Sequence, residues 1–141
     1  MSIGNLRRKA GAGVVSSVVL MYASSGLGET PAALHPVPKV VTLQADGTSY
    51  TSIVGGPPES VTMESGFVVV LASKSGEKHN SQQYEEVLVV LAGVGEMRIT
   101  AGPVLRLKPY SAAYCPPHTE HVVVNTAKEP LRYVYVAAKT P

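Results

Sequence analysis

Short apolar runs that end at glycine or proline turns fill the sequence after residue 30, and they limit what this chain can fold into. The runs are four to seven residues long, and turn sequences such as Gly55-Gly56-Pro57-Pro58 and Cys115-Pro116-Pro117 separate them. No later stretch has the periodicity of a long amphipathic helix. With 141 residues, the chain has room for one hydrophobic core. We therefore predict an all-β fold, a single small barrel or sandwich.

Two of the predicted strands, Phe67–Ala72 and Val87–Leu91, are apolar on both faces. A strand with one face in water should instead alternate between apolar and polar residues. Such strands need a second cover, from another sheet or from a second subunit, and we expect a homodimer. The full set of predicted strands is Val40–Leu43, Ser60–Met63, Phe67–Ala72, Val87–Leu91, Gly95–Ile99, Val104–Leu107, Ala112–Tyr114, His121–Asn125 and Leu131–Ala137.

The N-terminus has the order of a secretory signal peptide. Three basic residues at positions 7–9 precede an apolar run from Ala10 to Ala23, and small residues follow it. The run is shorter than the roughly 20 apolar residues of a spanning helix. We predict a signal peptide over residues 1–28, a proline- and alanine-rich tether over 29–38 and one domain over 39–141. An uncleaved N-terminal anchor and a buried core helix are the alternatives for residues 1–28.

Export to the periplasm or the extracellular space follows from that interpretation, with no membrane span left after cleavage. The single cysteine, Cys115, excludes an intrachain disulfide, so packing or oligomerisation must stabilise the domain. The net charge of +2 falls to −1 without the three N-terminal basic residues. The domain then has no basic patch for a phosphate backbone, which excludes a nucleic-acid partner.

Polar residues before the strand Val87–Leu91 have a regular spacing. His79 and Ser81 are two apart, so on a strand they share one face. Glu86 follows Ser81 after four residues, and Gly93 follows Glu86 after six. Because Glu86 lies an odd number of residues from His79, the chain must bend between them if both are to face one point.

A second group lies further along the chain, where Pro116, His121 and Asn125 surround the strand His121–Asn125. Together the two groups resemble the two motifs of the cupin superfamily, in the usual order and at the usual separation. The resemblance covers roughly residues 60 to 138. Three glycines of the family pattern are replaced here, by Ser73, Tyr110 and His118.

The resemblance implies a cupin-type β-barrel, or jelly roll, with a divalent metal ion inside it. The ligand positions of the family fall on His79, Ser81, Glu86 and His121, and serine is a poor substitute for histidine. The remaining set of two histidines and one carboxylate suits Fe, Mn, Ni, Cu or Zn, and in non-haem iron enzymes it leaves positions open for substrate and oxygen. The alternative is a site from which the metal is absent.

Four further residues are candidate pocket residues: Ser81, Gln83, Tyr84 and His118. Ser81 is a candidate partner for a metal-bound water or a ligand, although an ordinary loop serine has the same signature. His118 is a candidate replacement ligand, but it occupies a motif glycine position that suggests positive φ, which histidine tolerates.

Two functions fit these residues. The first is a small exported metalloprotein that binds a small polar molecule inside the barrel, with dioxygenase, isomerase or oxalate-type chemistry as found in cupins. The second is a metal-free module that binds a carbohydrate or another metabolite without turnover, and a purely structural domain is a third alternative. The sequence leaves open whether the protein is an enzyme, since fold does not give function.

Overall fold

The computed structural model describes residues 35–44, 46 and 50–141, and these form an all-β fold. The segment predicted to be a signal peptide, and residues 29–34 of the tether, lie outside the described residues. Within the described part of the chain, no helix is long and apolar enough to cross a bilayer. The described residues form nine strands: β1 (Tyr50–Val54), β2 (Met63–Val70), β3 (His79–Asn80), β4 (Tyr84–Ala92), β5 (Gly95–Ile99), β6 (Val104–Leu107), β7 (Ala112–Cys115), β8 (Glu120–Asn125) and β9 (Leu131–Lys139).

The strands form two antiparallel sheets. The larger sheet has the order β1-β2-β9-β4-β7, and the smaller one has the order β3-β8-β5-β6. Their inner faces enclose a core of aliphatic side chains together with Cys115 and Tyr133. The predicted all-β fold is confirmed. Successive strands β3 and β4 belong to different sheets, so residues from both sheets face the same interior.

Seven of the nine predicted strands correspond to observed strands, including Phe67–Ala72, which covers the second half of β2, whereas Ser60–Met63 overlaps β2 only at Met63. The strand predicted over Val40–Leu43 is wrong. That segment has no regular structure and Val40 is 97% exposed, because no neighbouring strand pairs with it. Prediction missed β1, in which polar Thr51 and Ser52 interrupt the apolar residues, and β3, which has only two residues.

The two strands that are apolar on both faces behave differently. In β2, every residue after Met63 is buried. In β4, burial alternates along the strand, and Val87, Val89 and Leu91 on its outer face are each about 40% exposed. The second cover that we expected for β4 is therefore not supplied by the described residues.

The replaced motif glycines keep the backbone conformation of glycine. Ser73, Tyr110 and His118 have φ values of 57°, 62° and 56°, and the retained Gly93 has a φ of 82°. Left-handed φ is strained for residues with a Cβ atom, so the fold demands these turns even where glycine is absent. The positive φ expected at His118 is confirmed.

Candidate metal centre

The two histidines of the predicted site lie opposite each other on neighbouring strands. His79 on β3 pairs in register with His121 on β8, and residues directly opposite in an antiparallel pair project from the same face. Their ring centroids are 4.4 Å apart with an interplanar angle of 60°. His79 is half-buried, whereas His121 is 1% exposed.

Glu86 approaches the two histidines from the other sheet. It lies on the inner face of β4, between the buried residues Tyr84 and Leu88. Its Oε1 atom is 3.7 Å from His79 Nε2, and its Oε2 atom is 3.4 Å from His121 Nε2. The bend that we predicted between His79 and Glu86 is present, because the chain changes sheets there and Gln82 has a φ of 52°.

Backbone carbonyls hold both imidazole rings at Nδ1. His79 Nδ1 lies 3.1 Å from the carbonyl oxygen of Glu77, and His121 Nδ1 lies 3.2 Å from that of Thr119. A proton on Nδ1 satisfies these carbonyls and leaves the Nε2 lone pair directed at Glu86. Metal-binding histidines have this arrangement, in which the second nitrogen donates to a carbonyl or carboxylate.

Cys115 also contacts His121. The thiol is fully buried on β7, and its Sγ atom lies 3.3 Å from His121 Nδ1. A buried cysteine without a pairing partner is normally expected to behave as a small hydrophobic residue. The burial is as expected, but the contact with His121 was missed because the two residues belong to different sheets.

Protons and charges in the three-residue cluster are coupled. Burial alone would raise the pKa of Glu86, but the close interactions with His121 and His79 outweigh it and lower the pKa to about 2. The close contact with the Glu86 carboxylate raises the pKa of His79, against the effect of burial. Burial would lower the pKa of His121, but contacts with Cys115 and Glu86 raise it. Without a metal, the cluster is stable as a carboxylate with protonated imidazole beside it.

The three side chains fit a metal ion. One ligating atom from each of His79, Glu86 and His121 lies within 4.8 Å of the others. Ligands about 2.0 to 2.2 Å from one ion are roughly 3.0 to 3.5 Å from each other at tetrahedral or octahedral angles. The distances of 3.4 and 3.7 Å from the carboxylate oxygens to the two Nε2 atoms are close to this range. The three residues predicted as ligands are therefore brought together.

The candidate pocket residues have different environments. Ser81 is buried, and its hydroxyl donates to the carbonyl of Pro116 at 2.8 Å and accepts from the amide of Thr119 at 2.9 Å. These two hydrogen bonds connect the loop before β8 to the start of β4. Tyr84 is buried on the inner face of β4, two residues from Glu86. Gln83 and His118 are exposed, and the His118 amide donates to the Gln82 carbonyl.

Sequence reasoning missed Glu64, which is 8% exposed on the inner face of β2. Burial raises the pKa of Glu64, and the charge of Glu86 raises it further. The sequence could have indicated its inward position, because every second residue of β2 shares one face, and Glu64 shares it with Gly66, Val68 and Val70. Apolar residues on the opposite face of β2 made this pattern hard to recognise.

The fold and the site together define a class of protein, a small two-sheet β-barrel with two histidines and one carboxylate facing its interior. The model of the cupin domain family matches residues 66–137. That match spans half of the sequence, and the chain belongs to the cupin family. The resemblance inferred from the motifs is confirmed.

Solved cupin structures support the same fold. The cupin domain of Cnp3 from Schizosaccharomyces pombe aligns with a TM-score of 0.59 and 22% identity, over 71% of this chain and 69% of that one. A Cupin 2 conserved barrel domain protein from Salinispora arenicola aligns with a TM-score of 0.61 and 19% identity, over 74% and 91%. The DMSP lyase DddQ from Ruegeria pomeroyi aligns with a TM-score of 0.55 and 20% identity, over 63% and 45%. No curated protein matches the sequence.

Proposed function

We propose that this protein is an exported cupin that binds one divalent metal ion through His79, Glu86 and His121 and a small polar molecule beside it. The observation that carries the proposal is the convergence of the two Nε2 atoms on the Glu86 carboxylate. The carbonyl contacts at both Nδ1 atoms support it, since they favour the tautomer that a metal needs.

Three protein ligands leave coordination positions open for a small molecule. A metal ion bound there would act as a Lewis acid or orient the bound molecule. The chain itself supplies two buried ligands, His121 and Glu86, and the hydrogen bonds of Ser81 hold the loop that leads into β8.

A second candidate function is a metal-free binding module. The specific observation in its favour is that the Glu86 carboxylate lies close enough to both histidines to form ion pairs with them directly. Among the described residues, no fully buried side-chain nitrogen or oxygen lacks a hydrogen-bond partner. A site of this kind is stable without a metal and presents polar side chains to a ligand.

Metal analysis of the purified domain separates the two functions. We expect one equivalent of Fe, Mn, Ni or Zn per chain, measured by elemental analysis and by calorimetric titration of the metal-free protein. His79→Ala and His121→Ala should each lose this binding, because two ligands hold a divalent ion poorly. His118→Ala is the matched control, since His118 is exposed and should leave binding unchanged. A folded wild-type domain that binds none of these metals would contradict the first function and support the second.

Export and dimerisation are further parts of the proposal. Export rests on the signal-like sequence of residues 1–28. Dimerisation rests on the outer face of β4, where Val87, Val89 and Leu91 are about 40% exposed and the neighbouring Tyr114 of β7 is 53% exposed. A second copy packed on this face would remove these side chains from water. Light scattering of the wild type and of Val89→Lys checks this, and a wild-type monomer at all concentrations would contradict it.

A further inference from the structure

A row of buried residues crosses the inner face of the larger sheet at the level of the metal centre. Glu64 on β2 pairs with Ala137 on β9, Ala137 pairs with Glu86 on β4, and Glu86 pairs with Cys115 on β7. All four side chains are at most 8% exposed. Two carboxylates therefore face the interior about 10 Å apart at their Cα atoms, because two strand spacings separate them. Ala137 on β9 lies between them in the sheet.

Glu64 is only 8% exposed, yet no described residue donates a hydrogen bond or forms an ion pair with its carboxylate. Because no fully buried side-chain oxygen among the described residues lacks a partner, the Glu64 carboxylate oxygens keep some contact with water. The described side chains that are buried include no lysine or arginine. A carboxylate that is largely withdrawn from water and has no protein donor is partly desolvated, which costs free energy, and such groups often belong to binding sites. A positively charged or hydrogen-bond-donating group of a ligand would replace the water at this carboxylate.

An aromatic wall adjoins Glu64. The hydroxyls of Tyr50 and Tyr135 are 3.2 Å apart. Both rings cover Gly66, where a Cβ atom would lie 2.5 Å from Tyr50 Cε2 and 2.8 Å from Tyr135 Cε1. Gly66 is the next inward residue after Glu64 on β2, so its missing side chain makes room for the two rings. Aromatic faces beside a carboxylate favour an organic cation.

Charge balance favours a ligand that has a negatively charged group at one end and a positively charged group at the other. With neutral histidines, a divalent ion would offset the charges of Glu86 and Glu64 together. A zwitterion would keep that balance, with its carboxylate at the metal and its ammonium group at Glu64. A purely anionic ligand would leave a buried excess of negative charge beside Glu64.

We propose that Glu64, Tyr50 and Tyr135 form a subsite for the ammonium group of a small amino-acid-like ligand whose carboxylate reaches the metal held at Glu86. The inference rests on the proposed metal binding and names the chemical class of the ligand. It assigns Glu64 a specificity role, since this residue would distinguish an amino acid from a carboxylic acid of the same length.

The test compares glycine, β-alanine and 4-aminobutyrate with acetate, propionate and butyrate by calorimetry on the metal-loaded protein. For at least one chain length, the amino acid should bind about 10- to 100-fold more tightly than its matched carboxylate, the range of one charge-assisted hydrogen bond. In Glu64→Gln this advantage should fall below about twofold while the metal content stays at one equivalent. Equal affinity within every pair, or an advantage that survives in Glu64→Gln, would overturn the subsite.

Two controls keep the subsite distinguishable from the metal centre. Glu85→Gln is the matched variant, because Glu85 is exposed on the opposite face of β4, where it accepts a hydrogen bond from Tyr114. In this variant, the amino acid should be preferred over its matched carboxylate as strongly as in the wild type. In the metal-free protein, NMR titration with propylammonium and with 1-propanol tests Glu64 alone. If the protein binds no metal, the metal function fails, and the subsite stands only if propylammonium binds more tightly and Glu64→Gln removes the difference.

Discussion

Ser81→Ala tests whether Ser81, which occupies the position of a metal-binding histidine in the cupin motif, stabilises the loop before β8. The variant removes two hydrogen bonds, one to the Pro116 carbonyl and one from the Thr119 amide, at a site where the side chain is 3% exposed. Each bond contributes about 0.5 to 1.5 kcal/mol net, so the free energy of unfolding should fall by about 1 to 3 kcal/mol. Urea denaturation of the metal-free protein measures this.

Metal affinity should respond as well. Thr119 carries both the amide that Ser81 holds and the carbonyl that contacts His121 Nδ1. Loss of groups that orient a metal ligand typically weakens binding by roughly 10- to 100-fold. Because Ser81 acts on His121 only through Thr119, we expect the metal affinity measured by calorimetric titration to fall by up to about tenfold.

Ser111→Ala is a closely matched control. The Ser111 hydroxyl also donates to a carbonyl and accepts from an amide, both of Lys108, but in a turn that water reaches and far from the site. Its loss should cost less than about 1 kcal/mol and leave metal affinity unchanged. Equal destabilisation by the two variants, or unchanged metal affinity in Ser81→Ala, would refute the reasoning.

Two further predictions follow from burial and charge. Asn125→Ala should lower the free energy of unfolding by about 2 to 4 kcal/mol, because the buried amide donates to two carbonyls and accepts from one amide. The control Asn80→Ala loses one exposed hydrogen bond and should lower it by less than about 1 kcal/mol. Similar losses for the two variants in urea denaturation would contradict this prediction. Metal affinity should fall as pH falls, because the raised pKa values of His79 and His121 make the ion compete with protons. The same raised pKa values stabilise the metal-free fold fully below about pH 6.5 and cease to do so as pH rises through them, whereas the lowered pKa of Glu86 adds stability that is lost between about pH 4.5 and 2. Thermal unfolding of the metal-free protein against pH checks both signs, and metal binding that is independent of pH between 5 and 8 would contradict the assigned coupling.

The strands that the sequence predicted well are those next to clear glycine or proline turn signals. β5 and β6 match their predicted bounds, and β4 and β9 extend theirs by a few residues. The strand β1 was missed because its residues are held by pairing with β2 rather than by their own pattern. The reverse error occurred at Val40–Leu43, where β-branched residues favour a strand but no partner strand is available.

The metal centre was predictable only through the motif spacing. Composition and periodicity give no reason to bring His79, Glu86 and His121 together, since they lie on three strands of two sheets. The contribution of Glu64 depends on its register with Ala137 and Glu86, and pairing register across nonadjacent strands is not a property of local sequence. The role of Ser81 likewise depends on a loop 35 residues further along the chain.

The central claim is that His79, Glu86 and His121 hold one metal ion, and a crystal structure of the zinc-loaded protein tests it most directly. Anomalous scattering at the zinc edge locates the ion independently of any assumption about its ligands. We predict one peak per chain, about 2.0 to 2.2 Å from both Nε2 atoms and from a Glu86 carboxylate oxygen. Zinc-loaded crystals with the peak elsewhere, or with Glu86 still paired to the histidines and no peak between them, would contradict the claim.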